Sequence, residues 1–445
     1  MKYSVITFGC RVNQADSIGF EEEFLGAGAR AATPEDSDVV VVNTCSVTAS
    51  ADQAARQTIR RIARVNPDVK IIVTGCYATR RPEEVAALPN VLRVVPNNDK
   101  PQLLSLVRPD LSTAERFGEG DGSCGAVIEP GVAGRTAFTL RVQTGCAEPC
   151  SYCIIPTTRG ASASLPLERV LREAERVAAA GFKEIALTGV HLGSYGRDLS
   201  PRSSLIELLQ LLHDATGRPE GRPLPISDSN FGGALPLGCA ERPSGLLFRI
   251  SSLEPMDCTP DVVDLVAGSD SFAPHFHLPL QHASDRMLAA MRRPYTIAFY
   301  SDLVERIRTL MPHASIGSDL IVGFPGETDE DFECLAAYLE ASPLTHLHVF
   351  PYSDRPCTAA AAMTQKIHGS VVRERANRLR TISQQLAVRF RRSQVGVVHR
   401  ALTLDDGSVA VTGNYLKVRI PPGRARNEWI EVRLVSEQDG ELLGG

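Results

Sequence analysis

No stretch of this sequence reaches the roughly 18 consecutive apolar residues that a membrane-spanning helix needs. An export signal is also missing: the apolar start, MKYSVITFGCRVNQADS, is short and is broken by Asn13, Gln14 and Asp16. These absences point to a cytoplasmic protein with no membrane contact. There is no surplus of basic charge. The formal net charge is −5, so any RNA contact has to come from a local patch. Internal repeats and low-complexity tracts are absent. So is an even cysteine count: eleven thiols in a chain without an export signal argue against a disulfide framework and for metal-binding or catalytic thiols.

What is present is globular. The chain has 445 residues, 43% of them hydrophobic and 22% charged, enough for about three domains. Residues 1–107 alternate strand and helix. KYSVITF at Lys2, DVVVVNTC at Asp38 and KIIVTGC at Lys70 read as strands, with helices over 15–27 and 47–65. This βαβαβα pattern predicts a parallel sheet. A Gly/Pro/acidic stretch over 108–135 reads as a linker.

Alternation resumes over 136–367. Strand candidates are FTLRVQT, EIALTGV, LLFRISS, HFHLPL, SIGSDLIVGF and HLHVFPYS. Six βα units predict a partial (β/α)6 barrel, interrupted by a Pro/Gly-rich surface insert over 217–244. Residues 368–393 read as a basic helix carrying Arg373, Arg375, Arg378, Arg380, Arg389, Arg391 and Arg392 against one acid, Glu374. Short β runs over 394–445 predict a small β-barrel. The fold class is α/β throughout, apart from that tail.

Two sets of three cysteines stand out. Cys10, Cys45 and Cys76 each lie just beyond a predicted strand. In a parallel sheet those strand ends share one edge, where ligands collect. Singly each reads as an ordinary buried thiol; together they read as a metal or cluster site. Gly9 and Gly75 beside them permit close backbone approach. The second set, Cys146, Cys150 and Cys153, is spaced C-x3-C-x2-C just after the first strand of the six-unit region. Loops at that end of a βα barrel carry the active site. Three thiolates on a four-iron cube leave one iron open to a cofactor or substrate. The competing reading is a zinc site completed by His191 or His275. Cys124, Cys239, Cys258, Cys334 and Cys357 are scattered and read as unligated.

C-x3-C-x2-C followed by IIP and Arg159-Gly160 resembles the radical S-adenosylmethionine (SAM) methylthiotransferases. FGCRVNQADS, NTCSV, TGCYA, LPLQHASDRMLAAMRRPYT, DLIVGFPGETDEDF and HVFPYSDR are also similar to that family, over almost the whole chain. The tail GNYLKVRIP resembles the TRAM domain, a small RNA-binding β-barrel. Cys10-Arg11-Val12-Asn13-Gln14 and LTGVHLGSYGRDL look like the subgroup acting on N6-threonylcarbamoyladenosine at position 37 of tRNA. Thr144, His282-Ala283, Arg355-Pro356-Cys357-Thr358-Ala359 and the insert depart from the family pattern.

The resemblance implies two [4Fe–4S] clusters. Cys146, Cys150 and Cys153 would hold the one that binds SAM, and Cys10, Cys45 and Cys76 the auxiliary one that holds the inserted sulfur. A 5′-deoxyadenosyl radical would take hydrogen from carbon 2 of the adenine, and a second SAM would supply the methyl group. Candidate SAM contacts at strand ends are Thr188, Gly189, Ser251, Ser252, Gln281, Asp319, Val322 and Gly323. Arg159 and Arg355 suit tRNA phosphate or the carbamoyl-threonine carboxylate, or are surface ion-pair residues. The basic helix and the tail residues Tyr415, Lys417, Arg419, Arg424, Arg426 and Arg433 suit the tRNA anticodon loop around adenosine-37. An electron donor such as flavodoxin or ferredoxin is implied, and a monomer is expected. The nearer alternatives are the same chemistry on isopentenyladenosine-37 or on a ribosomal protein side chain. A more remote one is a two-cluster electron-transfer or sensor protein, whose clusters normally have complete protein coordination.

Overall fold

The computed structural model describes residues 1–107, 130, 136–217, 245–438 and 440–445. The linker and insert expected over 108–135 and 217–244 lie outside the described residues, save Pro130 and the last helical residue Gly217; Cys124 and Cys239 go with them.

The N-terminal part is a parallel sheet in the order β2-β1-β3-β4-β5. Its strands are β1 (Lys2–Thr7), β2 (Arg30–Ala31), β3 (Val39–Thr44), β4 (Lys70–Gly75) and β5 (Val91–Val95). Its helices are α1 (Arg11–Gly26), α2 (Ala49–Val65), α3 (Cys76–Arg80), α4 (Pro82–Ala86) and α5 (Leu103–Val107). Every residue of β3 is buried, as its Val run requires of a strand covered on both faces. Val40, Val42, Ile71 and Val73 pack on Ile59, Ile62 and Tyr77. Val39, Val41 and Ile72 pack on Phe20, Phe24 and Leu103 on the other side. α1 begins at Arg11, four residues before the expected start, so Cys10 is its N-cap.

The middle part carries β6 (Phe138–Arg141), β7 (Gln143–Thr144), α6 (Ile155–Arg159), β8 (Ala163–Ser164), α7 (Leu167–Ala179), β9 (Glu184–Thr188), α8 (Leu205–Gly217), β10 (Leu247–Ile250) and α9 (Pro260–Ala267). It continues with β11 (His275–His277), α10 (Asp285–Ala290), α11 (Ile297–Leu310), β12 (Ser315–Val322), α12 (Asp329–Ala341) and β13 (His346–Pro351). Two parallel three-stranded sheets, β6-β9-β10 and β11-β12-β13, are joined by a bridge between Phe248 and Phe272. The six strands therefore follow chain order, as a partial barrel demands. Alternate residues face opposite ways. Leu140, Ile185, Leu187, Phe248, Ile250, Phe276, Ile316 and Leu347 enter the core under the helices. The other face is polar: Arg141, Thr188, Arg249, His275, His277, Asp319, His346 and His348.

Helix α13 (Gly369–Ser393) buries a stripe of Arg375, Ala376, Leu379, Ile382, Leu386 and Phe390. The sequence suggested a basic RNA-contact helix. In the structure it is also a strut, and several of its arginines are engaged by neighbouring elements. Arg375 pairs with Glu327 at 2.7 Å and Asp329 at 2.5 Å, and Arg378 with Glu333 at 2.5 Å. Arg389 donates to the carbonyls of Glu340 and Ser342, and Arg391 and Arg392 meet Glu437. These acids and carbonyls are distant in sequence, so the run of arginines looked unpaired.

The tail is a closed five-stranded barrel in the order β14-β15-β16-β18-β17. The strands are β14 (Val398–Leu404), β15 (Val409–Thr412), β16 (Lys417–Arg419), β17 (Trp429–Gln438) and β18 (Glu441–Gly444). Ala401, Ala410, Val418, Val432, Leu434 and Leu442 fill it. It docks where the strands of the six-unit region begin. Trp429 Nε1 donates to Gly245 O at 3.0 Å, Arg249 to Gly413 O at 2.8 Å and Asn414 to His313 O at 2.8 Å. No described helix is long and apolar enough to cross a membrane.

Candidate functional site

Cys10, Cys45 and Cys76 follow β1, β3 and β4, neighbours in the sheet whose register pairs Thr7 with Asn43 and Thr44 with Gly75. Gly9 has φ +91°, and a Cβ there would lie 2.5 Å from Cys45 Cβ and 2.6 Å from its Sγ. Gly75 has φ +97° and lies against the Thr44 backbone. The two glycines are what lets the three loops converge. Asn13 fastens them: its Nδ2 donates to Phe8 O at 2.8 Å and Thr44 O at 2.9 Å. Burial pushes the Cys45 thiol up to about 11, and the neighbouring Cys10 and Cys76 add to the rise.

The second trio sits in one loop. Gly145 has φ +73°, and any Cβ would fall on the Ala161 carbonyl. Cys146 N–H donates to Gly160 O at 3.1 Å, closing the loop. Backbone N–H groups reach the sulfurs, Glu148 to Cys146 at 3.4 Å and Ile155 to Cys153 at 3.5 Å. Arg293 Nη1 lies 3.2 Å from Cys150 Sγ, while its Nη2 pairs with Glu254. Burial raises the Cys153 thiol to about 12. Loading either site must therefore release protons, because soft metals bind the thiolate.

The two trios pack together. α6, directly after Cys153, rests on α3, which begins with Cys76. Asn97 Nδ2 donates to Thr158 O at 2.7 Å and lies 3.7 Å from Cys76 Sγ. Arg159 is buried between them. It donates to Asn13 Oδ1 at 2.5 Å and Thr144 Oγ1 at 3.4 Å, and it interacts with the Cys76 and Cys10 sulfurs. It also joins Asp16, which Lys100 holds at 2.6 Å and which Arg141 contacts as well. Burial opposes the Asp16 charge, yet these three cations hold its carboxyl well below the usual range. A cavity of about 420 Å³ adjoins this network between α1, β6 and α7; none of the six cysteines lines it.

Zinc does not fit either trio. With Zn–S near 2.3 Å, tetrahedral sulfurs lie roughly 3.8 Å apart. Among the described residues, the one set of three His, Cys, Asp or Glu ligand atoms within 4.8 Å of one another is His277, Asp319 and His348. The three sulfurs of neither trio all lie that close to one another, so each set is wider than a single tetrahedral zinc ion would draw it. His191 does reach Cys146, but its Nε2 is taken by Asp257 at 2.8 Å. Burial opposes its charge, and the bonds to Asp257 and Cys146 outweigh this and lift it to about 9. His275 lies elsewhere on the polar face, against Tyr415 and His346.

The other expected contacts divide. Thr188 and Ser251 stand at the C-ends of β9 and β10, on the polar face. Ser251 Oγ is buried with no partner among the described residues, while Ser252 is exposed. Gln281 follows β11 with φ +68°, and its N–H donates to Asp319 O at 2.8 Å. Asp319 Oδ1 accepts from His277 Nε2 at 2.9 Å and His348 Nδ1 at 3.1 Å. Gly189 abuts Leu192 and Gln143. Val322 belongs to the core, and Gly323 (φ +76°) packs on Val372 of α13, so the side-chain positions there serve packing.

Arg159 and Arg355 are not surface arginines. Arg355 is buried, bonded to Asp52 at 3.0 Å and Val47 O at 3.3 Å, clamping the loop after Cys45. Lys417 and Arg419 are exposed on β16, the latter paired with Glu441 at 2.8 Å. Tyr415 is half-exposed and sits against His275 and Arg249. Sequence reasoning missed Arg293, Asn97 and the row of histidines. Only the row had a signal, the period-2 patterns HFH and HLH.

Comparisons with known proteins agree with this geometry. The model of uncharacterized protein family UPF0004 matches residues 2–96, and that of the radical SAM superfamily residues 140–339. The threonylcarbamoyladenosine tRNA methylthiotransferase MtaB of Bacillus subtilis (strain 168) is 36% identical over 392 residues, 86% of this chain and 80% of that one. Its namesake from Aquifex aeolicus (strain VF5) is 34% identical, covering 94% and 96%. A tRNA-2-methylthio-N(6)-dimethylallyladenosine synthase of Mycobacterium ulcerans (strain Agy99) is 29% identical, covering 99% and 77%. Among solved structures, the radical SAM methyltransferase TsrM from Kitasatospora setae, with cobalamin and a [4Fe-4S] cluster bound, shares the fold at TM-score 0.54 and 15% identity, covering 81% and 76%. By its relatives and its two matched domains, the chain belongs to the radical S-adenosylmethionine methylthiotransferase family.

Proposed function

We propose that this protein is a tRNA methylthiotransferase that converts N6-threonylcarbamoyladenosine at position 37 to its 2-methylthio derivative. SAM and two [4Fe–4S] clusters are its cofactors. In this reading Cys146, Cys150 and Cys153 hold the SAM-binding cluster, and Cys10, Cys45 and Cys76 the auxiliary one. The supporting observation is the pairing of two three-thiol sets, packed through α3 and α6. When bound, the cofactors supply the radical chemistry and sulfur that an unactivated C–H bond demands.

The chain's own residues bind and orient. Arg293 and the loop N–H groups stabilise the thiolates of the second trio, and hydrogen bonds to sulfur tune a cluster's potential. Arg159 offsets negative charge between the trios. Thr188, Ser251, Gln281 and Asp319 are the polar-face candidates for SAM. Lys417 and Arg419 present cations to tRNA phosphate. The reading places a monomer in the cytoplasm with tRNA, served by a flavodoxin- or ferredoxin-like electron donor.

Mass spectrometry of tRNA from cells with and without the gene tests this. Loss of the 2-methylthio form and accumulation of threonylcarbamoyladenosine is the expected result. An unchanged threonylcarbamoyladenosine pool sinks the substrate assignment, and a change confined to isopentenyladenosine reassigns it.

A further inference from the structure

We propose that Arg11, Tyr415 and the imidazoles of His275, His346 and His348 form the subsite for a carboxylate carried by the N6 substituent of the target adenine. The inference rests on the function proposed above and names what would recognise that substrate. Three separate parts of the chain build the subsite. Arg11 comes from the N-terminal domain, directly after Cys10. Tyr415 comes from the turn between β15 and β16, and the histidines from β11 and β13. Arg11 Nη2 lies 3.2 Å from Tyr415 Oη. The Tyr415 ring is 5.1 Å from His275, which is 6.1 Å from His346, and His346 is 5.7 Å from His348.

The charges of this cluster are unevenly spent. Arg249, 4.7 Å from the Tyr415 ring, is neutralised by Glu184 at 2.7 Å. Asp319, the carboxylate of the histidine row, is already held by His277 and His348. Arg11 has no acidic partner among the described residues, and His275 Nδ1 is buried with no partner. A guanidinium without a counter-ion, beside an unfilled imidazole nitrogen, is the complement of a carboxylate. Tyr415 holds φ +68°, a conformation that a non-glycine residue adopts at a cost, and its ring stays half-exposed. The Tyr415 and His348 side of the subsite is thus exposed to solvent, while His275 lies buried behind it.

Reach also agrees. Carbon 2 has to meet sulfur held beside Cys10. The N6 substituent leaves the ring at carbon 6, one ring nitrogen away, so its far end falls within a side chain's length of the same cysteine. Arg159 and Arg355 are committed to Asp16 and Asp52, and Arg11 is not.

The test uses the anaerobically purified, cluster-loaded chain without reductant. Affinity is measured for anticodon stem-loops carrying threonylcarbamoyladenosine, its carboxamide, or plain adenosine. The acid should bind about 10- to 100-fold more tightly than the amide, as a charge-assisted contact allows. Arg11→Gln should bring that ratio close to one, and Arg11→Lys should keep most of it. Equal binding of acid and amide by the wild type, or an undiminished ratio in Arg11→Gln, overturns the subsite. If Arg11→Gln does not fold, His346→Gln is read in the same way. A wild type that binds all three stem-loops alike and makes no methylthio product overturns the function as well. One that makes the product but ignores the carboxylate overturns the subsite alone.

Discussion

The two cysteine trios reach similar ends by opposite routes. Cys146, Cys150 and Cys153 occupy one loop, shaped by Gly145 and by local N–H groups. Cys10, Cys45 and Cys76 occupy three loops, brought together by the register of a parallel sheet. A local site depends on a few dihedrals. A distributed site depends on the domain around it. Damage to sheet register should therefore cost the Cys10, Cys45 and Cys76 trio and spare the Cys146, Cys150 and Cys153 trio.

The largest effects come from the thiols themselves. Cys150→Ala and Cys45→Ala should each abolish 2-methylthio product and leave about four of about eight iron per chain. Reductive SAM cleavage to 5′-deoxyadenosine should vanish with Cys150→Ala and persist with Cys45→Ala. Loss of cleavage in both variants would break the division of labour.

Next is the junction between the two sites. Asp16 is buried among Lys100, Arg141 and Arg159. Asp16→Asn leaves those cations without a counter-charge and should cost about 3–5 kcal/mol in urea unfolding. Because the folded-state pKa is depressed, this stabilisation is present above the usual carboxylate range and is lost as pH falls through it. A cost below about 1 kcal/mol would show that the two regions are stabilised independently.

Smaller losses separate the routes by backbone. Gly9→Ala and Gly145→Ala both place a Cβ at positive φ against filled space. Each should destabilise by about 1–3 kcal/mol. Gly9→Ala should strip iron from the auxiliary site and Gly145→Ala from the SAM site, read as iron per chain and as 5′-deoxyadenosine yield. Loss of iron from both sites in Gly9→Ala would mean that the trios assemble as a unit.

The smallest effect is acid sensitivity. All ten histidines lie beyond residue 190, so the N-terminal domain has none. Burial lowers His282 to about 4. Its folded-state pKa lies below the unfolded value, so stability falls as pH drops below about 6.5, and the loss is complete near 4. Between pH 7 and 5 this amounts to about 1–2 kcal/mol. His282→Gln should flatten that part of the thermal-melt pH profile, with no change in the profile of the N-terminal domain followed by hydrogen exchange.

Much of the fold was legible. Apolar runs such as the Val run of β3 marked the strands, and the arginine-rich segment expected as a helix over 368–393 is one over Gly369–Ser393. The six cysteines were legible for a related reason: spacing exposes one trio and strand ends expose the other. Less legible was where each polar side chain would end. Arg159 looked like an RNA contact and is buried beside Cys76. Tyr415 looked like a base-stacking residue of the tail and faces the histidines of another domain. Arg375 belonged to the helix expected to contact tRNA, and it is buried and pairs with Glu327, 48 residues away.

The sequence by itself determined which residues are strands, which loops carry thiols, and that each trio stops at three. Those properties are written in short-range spacing and periodicity. Tertiary structure alone decided which cations are spent and which are left for a ligand. Charge pairing depends on neighbours contributed by distant segments, and no local pattern records them. Arg11 and Arg159, both close to the cysteines, look alike in the sequence. Only folding brings Asp16 to Arg159 and sets Arg11 against Tyr415, with no acid beside it among the described residues.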